Sequence, residues 1–212
     1  MLDGGAFGED KSFSDISGHW AQQDITRLAT RLVVAGAVPA AYTANKTNEM
    51  DLTNVRFDPE GRVRRSELAA MLVRMLGLER SDRTVVSFND VQSEAWYADA
   101  VRTAAAVGLI NGYADGSFRP DTPVSRKELA VIVERALRFA GNIEDTATGS
   151  ISVSLPDTQT ISAWSAPAVK TLSGLGIMKG DEKGCLAPTA SATRAEAAAV
   201  LSRTLDKLKW QQ

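Results

Sequence analysis

One short pattern, x-Arg-x-Glu at the head of an apolar helical run, occurs three times in this chain. It reads Arg64-Arg65-Ser66-Glu67, then Ser125-Arg126-Lys127-Glu128, then Thr193-Arg194-Ala195-Glu196. A chain that repeats a motif three times is built from three copies of one supersecondary unit, and one such unit cannot bury its apolar face alone. Upstream of each motif stands an Asp and then a Trp: Asp15 and Trp20, Asp90 and Trp96, Asp157 and Trp164. Trp96 to Arg126 and Trp164 to Arg194 are both 30 residues, while Trp20 to Arg65 is 45. The first copy therefore carries about 15 extra residues. Gly36 aligns with Gly112 and Phe57 with Phe118, which places the insertion at about 37–51. That stretch is polar and rich in Asn and Thr, as an exposed loop is. The repeats are expected at 12–78, 87–140 and 154–208, together forming one domain.

Each repeat reads as helix, loop, helix, and the fold class is mainly α. The first helix is expected to begin near the Trp, running in repeat two from Trp96 to about Val107. Its core face is Ile25, Leu28 and Leu32 in repeat one, Val101, Ala104 and Ala105 in repeat two, and Val169, Leu172 and Leu175 in repeat three. Gly108 and Gly176 stand where a C-terminal cap belongs. Leu32 replaces that Gly in repeat one, so the first helix is expected to run longer there. The second helix has the stripe Leu68, Met71, Leu72, Met75, Leu76; then Leu129, Ile132, Val133, Ala136, Leu137; then Ala197, Val200, Leu201, Thr204, Leu205. All three follow i, i+3, i+4, i+7, i+8, the signature of a helix with one buried face. Between the helices of repeat two lies turn chemistry, Ile110 to Asp121, which permits a short β-ribbon at most. The linkers at 79–87 and 141–154 are polar and expected to be exposed, the second also mobile.

Composition narrows the function. A formal net charge of −2 provides no basic field for nucleic acid or anionic lipid. No run approaches the roughly 18 apolar residues of a membrane span. Cys185 is the sole cysteine, which removes internal disulfides and cysteine-based metal sites. His19 is the sole histidine, so zinc centres of the usual composition are out and a Ser-His-Asp triad would have to use it. Beside Trp20 it reads instead as packing at a helix entrance. No catalytic, metal or cofactor residues are expected. The N-terminus lacks the basic-then-apolar pattern of a signal peptide and reads as a linker end, which says little about the native compartment.

The motif residues divide into those that capping explains and those that it does not. Ser125 with Glu128, and Thr193 with Glu196, form capping boxes: the hydroxyl accepts from the amide three residues on, and the Glu accepts from the cap amide. In repeat one Arg64 occupies the cap position and has no acceptor, so Ser66 or Glu67 must hold that helix start. Arg65, Arg126 and Arg194 each stand at the first helical position, where the helix dipole disfavours a cation. Three in register imply an offsetting gain. One reading is an anion site, free helix amides plus a guanidinium gripping a carboxylate. The other is a structural salt bridge to Asp15, Asp90 or Asp157 of another repeat. Trp20, Trp96 and Trp164 are likewise either core residues or platforms on which sugar rings stack, with Tyr113 a further platform. The Asp115-to-Asp121 segment faintly resembles a calcium loop but lacks the ligand count and terminal Glu, so it reads as a turn.

Taken together, Phe13-Ser14-Asp15-Ile16 with His19-Trp20-Ala21, the run Ile110-Asn111-Gly112-Tyr113-Ala114-Asp115-Gly116-Ser117-Phe118-Arg119-Pro120, and Thr193-Arg194-Ala195-Glu196 resemble the S-layer homology (SLH) family over about residues 12 to 208. The resemblance implies a pseudo-three-fold helical prism. It implies non-covalent anchoring of exported bacterial proteins to the cell wall through a secondary wall polysaccharide, commonly carrying pyruvyl ketals on N-acetylmannosamine, bound in grooves between repeats. It assigns ligand contacts to Arg65, Arg126 and Arg194, capping or orienting roles to Glu67, Glu128 and Glu196 with Ser125 and Thr193, and groove walls to Asp15, Asp90, Asp157, Trp20, Trp96, Trp164, Tyr113, Gly36 and Gly112. Repeat three departs from the pattern, with Gly180 to Cys185 as its turn and no Phe there. The location implied is extracellular, at the wall or surface layer, with cargo domains elsewhere in the parent chain and neighbouring surface-layer chains as possible contacts. Alternatives are a self-assembly module and binding to peptidoglycan itself. A small glycan hydrolase is disfavoured because every candidate Glu has a capping role.

Overall fold

The computed structural model describes residues 13–36, 55–78, 86–143, 156–181 and 183–208. The expected insertion at 37–51 and most of both linkers lie outside the described residues. Within them are six helices: α1 (Gln22–Thr30), α2 (Arg65–Met75), α3 (Ala98–Ala106), α4 (Arg126–Phe139), α5 (Ala166–Gly174) and α6 (Arg194–Lys207), with a 3-10 turn at Thr158–Thr160. Among the described residues there is no strand, only three isolated β-bridges.

The first helices start two residues after their Trp, and all three have nine residues. The longer α1 expected from the missing glycine is therefore corrected. Leu32 takes the left-handed conformation itself, at φ 58°, as Gly108 does at 75° and Gly176 at 71°. The cause is the next residue. Val33, Leu109 and Ile177 donate their amides back to Leu28, Ala104 and Leu172, each at 2.9 Å, and all three side chains are buried. This amide-to-carbonyl closure with an apolar residue beyond it is a Schellman stop. Burying Val33, worth roughly 1.5–3 kcal/mol for such a side chain, outweighs a Leu at positive φ, about 1–2 kcal/mol. Leu32 is consequently 53% exposed rather than core. Ala105 and Leu175 are half-buried, and Thr103 and Thr171 are buried in their stead.

The second helices bury their stripes as expected, apart from Leu76, which caps α2 and is half-buried. Their packing partners lie in other repeats. The extensive helix contacts are α2 on α3, α4 on α5 and α1 on α6, so the first helix of each repeat packs on the second helix of the repeat before it, and repeat one closes onto repeat three. Arg27 of α1 reaches Asp206 of α6 at 2.6 Å across that closure.

A ring of backbone hydrogen bonds marks the centre. Val63 donates to Ala192 (3.1 Å), Ala192 to Val124 (2.8 Å) and Val124 to Val63 (3.0 Å). All three residues are fully buried. The β-bridges run the same way round: Arg64 with Pro123, Ser125 with Ser191, Thr193 with Arg62. Each repeat thus satisfies one neighbour and is satisfied by the other. This answers the demand that buried backbone groups be paired without any sheet.

Candidate functional site

The site is built from one device used three times. The Asp of each repeat clamps the turn before its second helix. Asp15 accepts from the amides of Phe57 and Asp58, both 2.8 Å; Asp90 from Phe118 and Arg119, both 2.7 Å; Asp157 from Leu186 at 3.1 Å and Ala187 at 2.7 Å. Asp58, Arg119 and Ala187 all have positive φ, so the clamp fixes a strained turn. Burial pushes the Asp15 carboxyl up, but the Phe57 and Asp58 amides with Arg56 outweigh it and hold the group below its ordinary value. The aspartates are therefore bound within their own repeats. The alternative in which they pair with the motif arginines is not realised.

The clamped turn presents carbonyls to the neighbouring helix. The first two amides of α2 donate to Thr122 and Pro120, those of α4 to Ala190 and Pro188, and those of α6 to Gly61 and Pro59, at 2.8–3.1 Å. The third amide of α4 goes to the Ser125 hydroxyl (3.4 Å), and that of α6 to Thr193 (3.1 Å). In α2 only one limb of the box exists, because Arg64 has no acceptor: Glu67 accepts from the Arg64 amide at 2.8 Å, as foreseen. The expectation of free helix amides is thus overturned. The first two of each helix are committed to the next repeat.

The motif arginines use the same turns. Nε of Arg65, Arg126 and Arg194 donates to the carbonyl of Phe118 (2.8 Å), Leu186 (2.5 Å) and Phe57 (2.8 Å), and Nη2 to that of Asn111 (2.8 Å), Lys179 (3.0 Å) and Ala35 (3.2 Å). These bonds offset the unfavourable dipole. Nη1 then differs. In Arg126 it pairs with Glu196 and in Arg194 with Glu67. Among the described residues Arg65 has no carboxylate within ion-pair distance. Glu128 instead takes both the amide (2.8 Å) and the hydroxyl (2.5 Å) of Ser125 with one oxygen. Arg65, Ile110, Asn111, Glu128, Arg135 and Trp164 line a cleft of about 140 Å³ at this point.

The three tryptophans are exposed, Trp20 at 60%, Trp96 at 64% and Trp164 at 57%. The core reading fails for all of them. Each instead offers an aromatic face to solvent beside a helix start. His19 packs against Trp20, accepts from the Ala21 amide and reaches Glu60 at 2.9 Å, the entrance packing expected of it.

The S-layer homology domain model matches residues 87–130 and 154–198, which are repeats two and three. The chain belongs to the S-layer homology family. It is 35% identical, over 95% of its length, to an amylopullulanase of Thermoanaerobacterium thermosulfurigenes, covering 10% of that protein. It is 29% identical over 71% of its length to the cellulosome-anchoring protein of Acetivibrio thermocellus, covering 34% of it. To the surface-layer 125 kDa protein of Lysinibacillus sphaericus it is 30% identical over 73%, covering 13%. The chain thus spans a tenth to a third of the length of these relatives.

Within this S-layer homology chain two glycines and a tyrosine of the expected groove walls are tightly surrounded. A Cβ on Gly36 would meet Val55 Cγ1 at 2.1 Å, and one on Gly112 would meet Phe88 Cε1 at 2.3 Å, so both are required by close approach. Tyr113 lies against two guanidiniums, Arg119 at 3.9 Å and Arg65 at 5.0 Å. Asp115 is a turn residue: the hydroxyl and amide of Ser117 and the Arg119 side chain hold its carboxyl down to about 2. Sequence reading missed Arg135. Its signal was present, since Arg74, Arg135 and Arg203 each follow the motif Arg by nine residues. Lys127, 5.7 Å from the Trp164 ring, was also missed.

Proposed function

We propose that this chain anchors the exported protein that carries it to a bacterial cell wall, without covalent attachment, by holding a secondary wall polysaccharide in the clefts between repeats. The observation that carries this reading is the threefold recurrence of an exposed tryptophan at the start of one helix and an arginine at the head of the other, with Trp164 and Arg65 lining one cleft. Trp20, Trp96 and Trp164 offer apolar faces to sugar rings. The arginines and their neighbours offer positive charge to a substituent such as a pyruvyl ketal, whose carboxylate a guanidinium recognises. Asp15, Asp90, Asp157, Gly36 and Gly112 shape the walls indirectly, by fixing the turns. The units 12–78, 87–140 and 154–208 act as one pseudo-trimeric domain, because each depends on its neighbours for packing. Several weak clefts on one polymer raise avidity without stronger single contacts. The clefts bind and do not transform, and the module works outside the cell on behalf of cargo elsewhere in the parent chain. The kinship with an anchoring protein and a surface-layer protein supports this reading.

Co-sedimentation with purified wall sacculi, before and after chemical removal of the secondary polysaccharide, tests it. Binding that disappears with the polysaccharide is expected. Equal binding to stripped sacculi moves the ligand to peptidoglycan, and binding to neither refutes the anchor.

A further inference from the structure

Two of the three motif arginines already hold a carboxylate, and the third does not. We infer that in this chain the Arg65 cleft is the primary site for an anionic sugar, and that Glu196 and Glu67 are built-in competitors that keep the Arg126 and Arg194 clefts latent. This rests on the wall-polysaccharide reading and assigns its charge contact to one cleft.

The argument begins with hydrogen-bonding capacity. In Arg126 and Arg194 every guanidinium nitrogen has a partner, two backbone carbonyls and one glutamate. A ligand carboxylate arriving there meets a carboxylate already paired with the guanidinium and tethered to the same molecule, which competes at high effective concentration. In Arg65 only Nε and Nη2 are committed, and Nη1 has no such partner among the described residues. The difference traces to the cap residues. The Ser125 hydroxyl donates to Glu128 at 2.5 Å and holds that carboxylate back against its own helix. Thr193 accepts from the Glu196 amide and Arg64 has no hydroxyl; Glu196 and Glu67 keep one oxygen on the cap amide, as Glu128 does, and turn the other to their arginines.

The surroundings of Arg65 favour an anion further. Arg135 lines the same cleft, half-buried, and makes no ion pair among the described residues. Lys127 stands against Trp164, the aromatic wall. Two cations, Arg65 and Arg135, thus line the cleft with one glutamate, and Lys127, held by the Ser162 hydroxyl at 3.0 Å, stands at its aromatic wall. At the position of Lys127 the other two helices have Ser66 and Ala195, so this lysine has no counterpart in the other repeats.

The test is calorimetric titration of the whole chain with the methyl glycoside of N-acetylmannosamine bearing a pyruvyl ketal, alongside the same glycoside without the ketal. One equivalent of the ketal form is expected to bind. Arg135→Ala should weaken it at least tenfold, whereas Arg31→Ala, which removes an exposed cation at the end of α1, should not. Glu196→Gln keeps an amide oxygen for the Thr193 cap bond and releases Arg126, so a second equivalent should appear. Thermal melting of each variant separates these effects from unfolding. Two or three equal sites on the unaltered chain, undiminished binding in Arg135→Ala, equal binding of the ketal-free glycoside, or a Glu196→Gln chain still limited to one equivalent would overturn the inference. A chain that sediments with sacculi yet ignores the ketal glycoside overturns this inference and leaves the wall reading standing. A chain that does neither overturns both.

Discussion

The ion-pair asymmetry has a thermodynamic signature that needs no ligand. Arg194 is 4% exposed, and its guanidinium joins Glu67 of repeat one to the carbonyls of Phe57 and Ala35. Arg194→Ala leaves a half-buried glutamate unpaired and two carbonyls without donors. Breaking a buried pair from one side costs about 3–5 kcal/mol. Glu67 keeps some solvent, at 21% side-chain exposure, so about 4 kcal/mol is expected overall. In a domain of this size that lowers the melting midpoint by about 8–16 °C, at roughly 2–4 °C per kcal/mol. Arg65→Ala removes donors from two carbonyls and no carboxylate, and should cost about 2–3 kcal/mol. Double-mutant cycles in urea, followed by far-UV circular dichroism, isolate the pair because the capping loss in each Glu→Ala variant cancels. The coupling of Arg194 with Glu67, and of Arg126 with Glu196, should be about 2 kcal/mol, and that of Arg65 with Glu128 below about 0.5 kcal/mol. An Arg65–Glu128 coupling as large as the other two would refute the reasoning, since the third pair would then exist in solution.

Three further outcomes test the framework around the clefts. Gly112→Ala should destabilise by about 2 kcal/mol in urea unfolding, because Phe88, stacked on buried Phe118 at 5.2 Å, cannot withdraw from the new Cβ. Arg64→Thr should stabilise by about 0.5–1 kcal/mol in the same assay, completing the capping box while giving up only the exposed Arg64–Asp121 pair. Asp15, Asp115 and Asp206 have folded values below their ordinary ones, so the stability they contribute is present above the unfolded value near pH 4 and is lost as pH falls below it. Melting midpoints between pH 6 and pH 2 should therefore drop from about pH 4 downward, and less steeply in Asp15→Asn.

Much of this architecture is legible in the sequence, for reasons visible in particular residues. The stripes from Leu68, Leu129 and Ala197 announce their helices because a buried face imposes its period. The boxes at Ser125 and Thr193 announce two helix starts because capping is local chemistry. What was not legible involves partners that carry no sequence signal. Arg65, Arg126 and Arg194 are held largely by backbone carbonyls of the next repeat, and a carbonyl is the same at every residue. The clamp from Asp90 to Phe118 and Arg119 likewise acts on amides, so a salt bridge was the more visible alternative. Leu32 shows tertiary packing overriding local preference: burial of Val33 holds a leucine at positive φ where the other repeats have glycine.

The same contrast bears on why three similar repeats need not make three similar sites. The symmetric parts, the ring through Val63, Val124 and Ala192 and the three aspartate clamps, act on backbone groups and recur in every repeat. The parts that differ are single side chains at matching positions: Ser125 against Thr193 and Arg64 at the cap, Lys127 against Ala195 and Ser66 at the second helical position. Where the cap hydroxyl donates to its glutamate, the facing Arg65 has no carboxylate among the described residues; where it only accepts, Glu196 pairs with Arg126. Cleft identity can therefore change by one substitution while the core, which depends on none of these side chains, stays as it is. Exchanging Ser125 for Thr tests that economy directly. If the Ser125 hydroxyl holds Glu128 back, an added methyl that reorients the hydroxyl should let Glu128 reach Arg65. The Arg65–Glu128 coupling would then rise toward the value of the other pairs, about 2 kcal/mol, and a coupling that stays near zero would show that something other than the cap residue sets the difference.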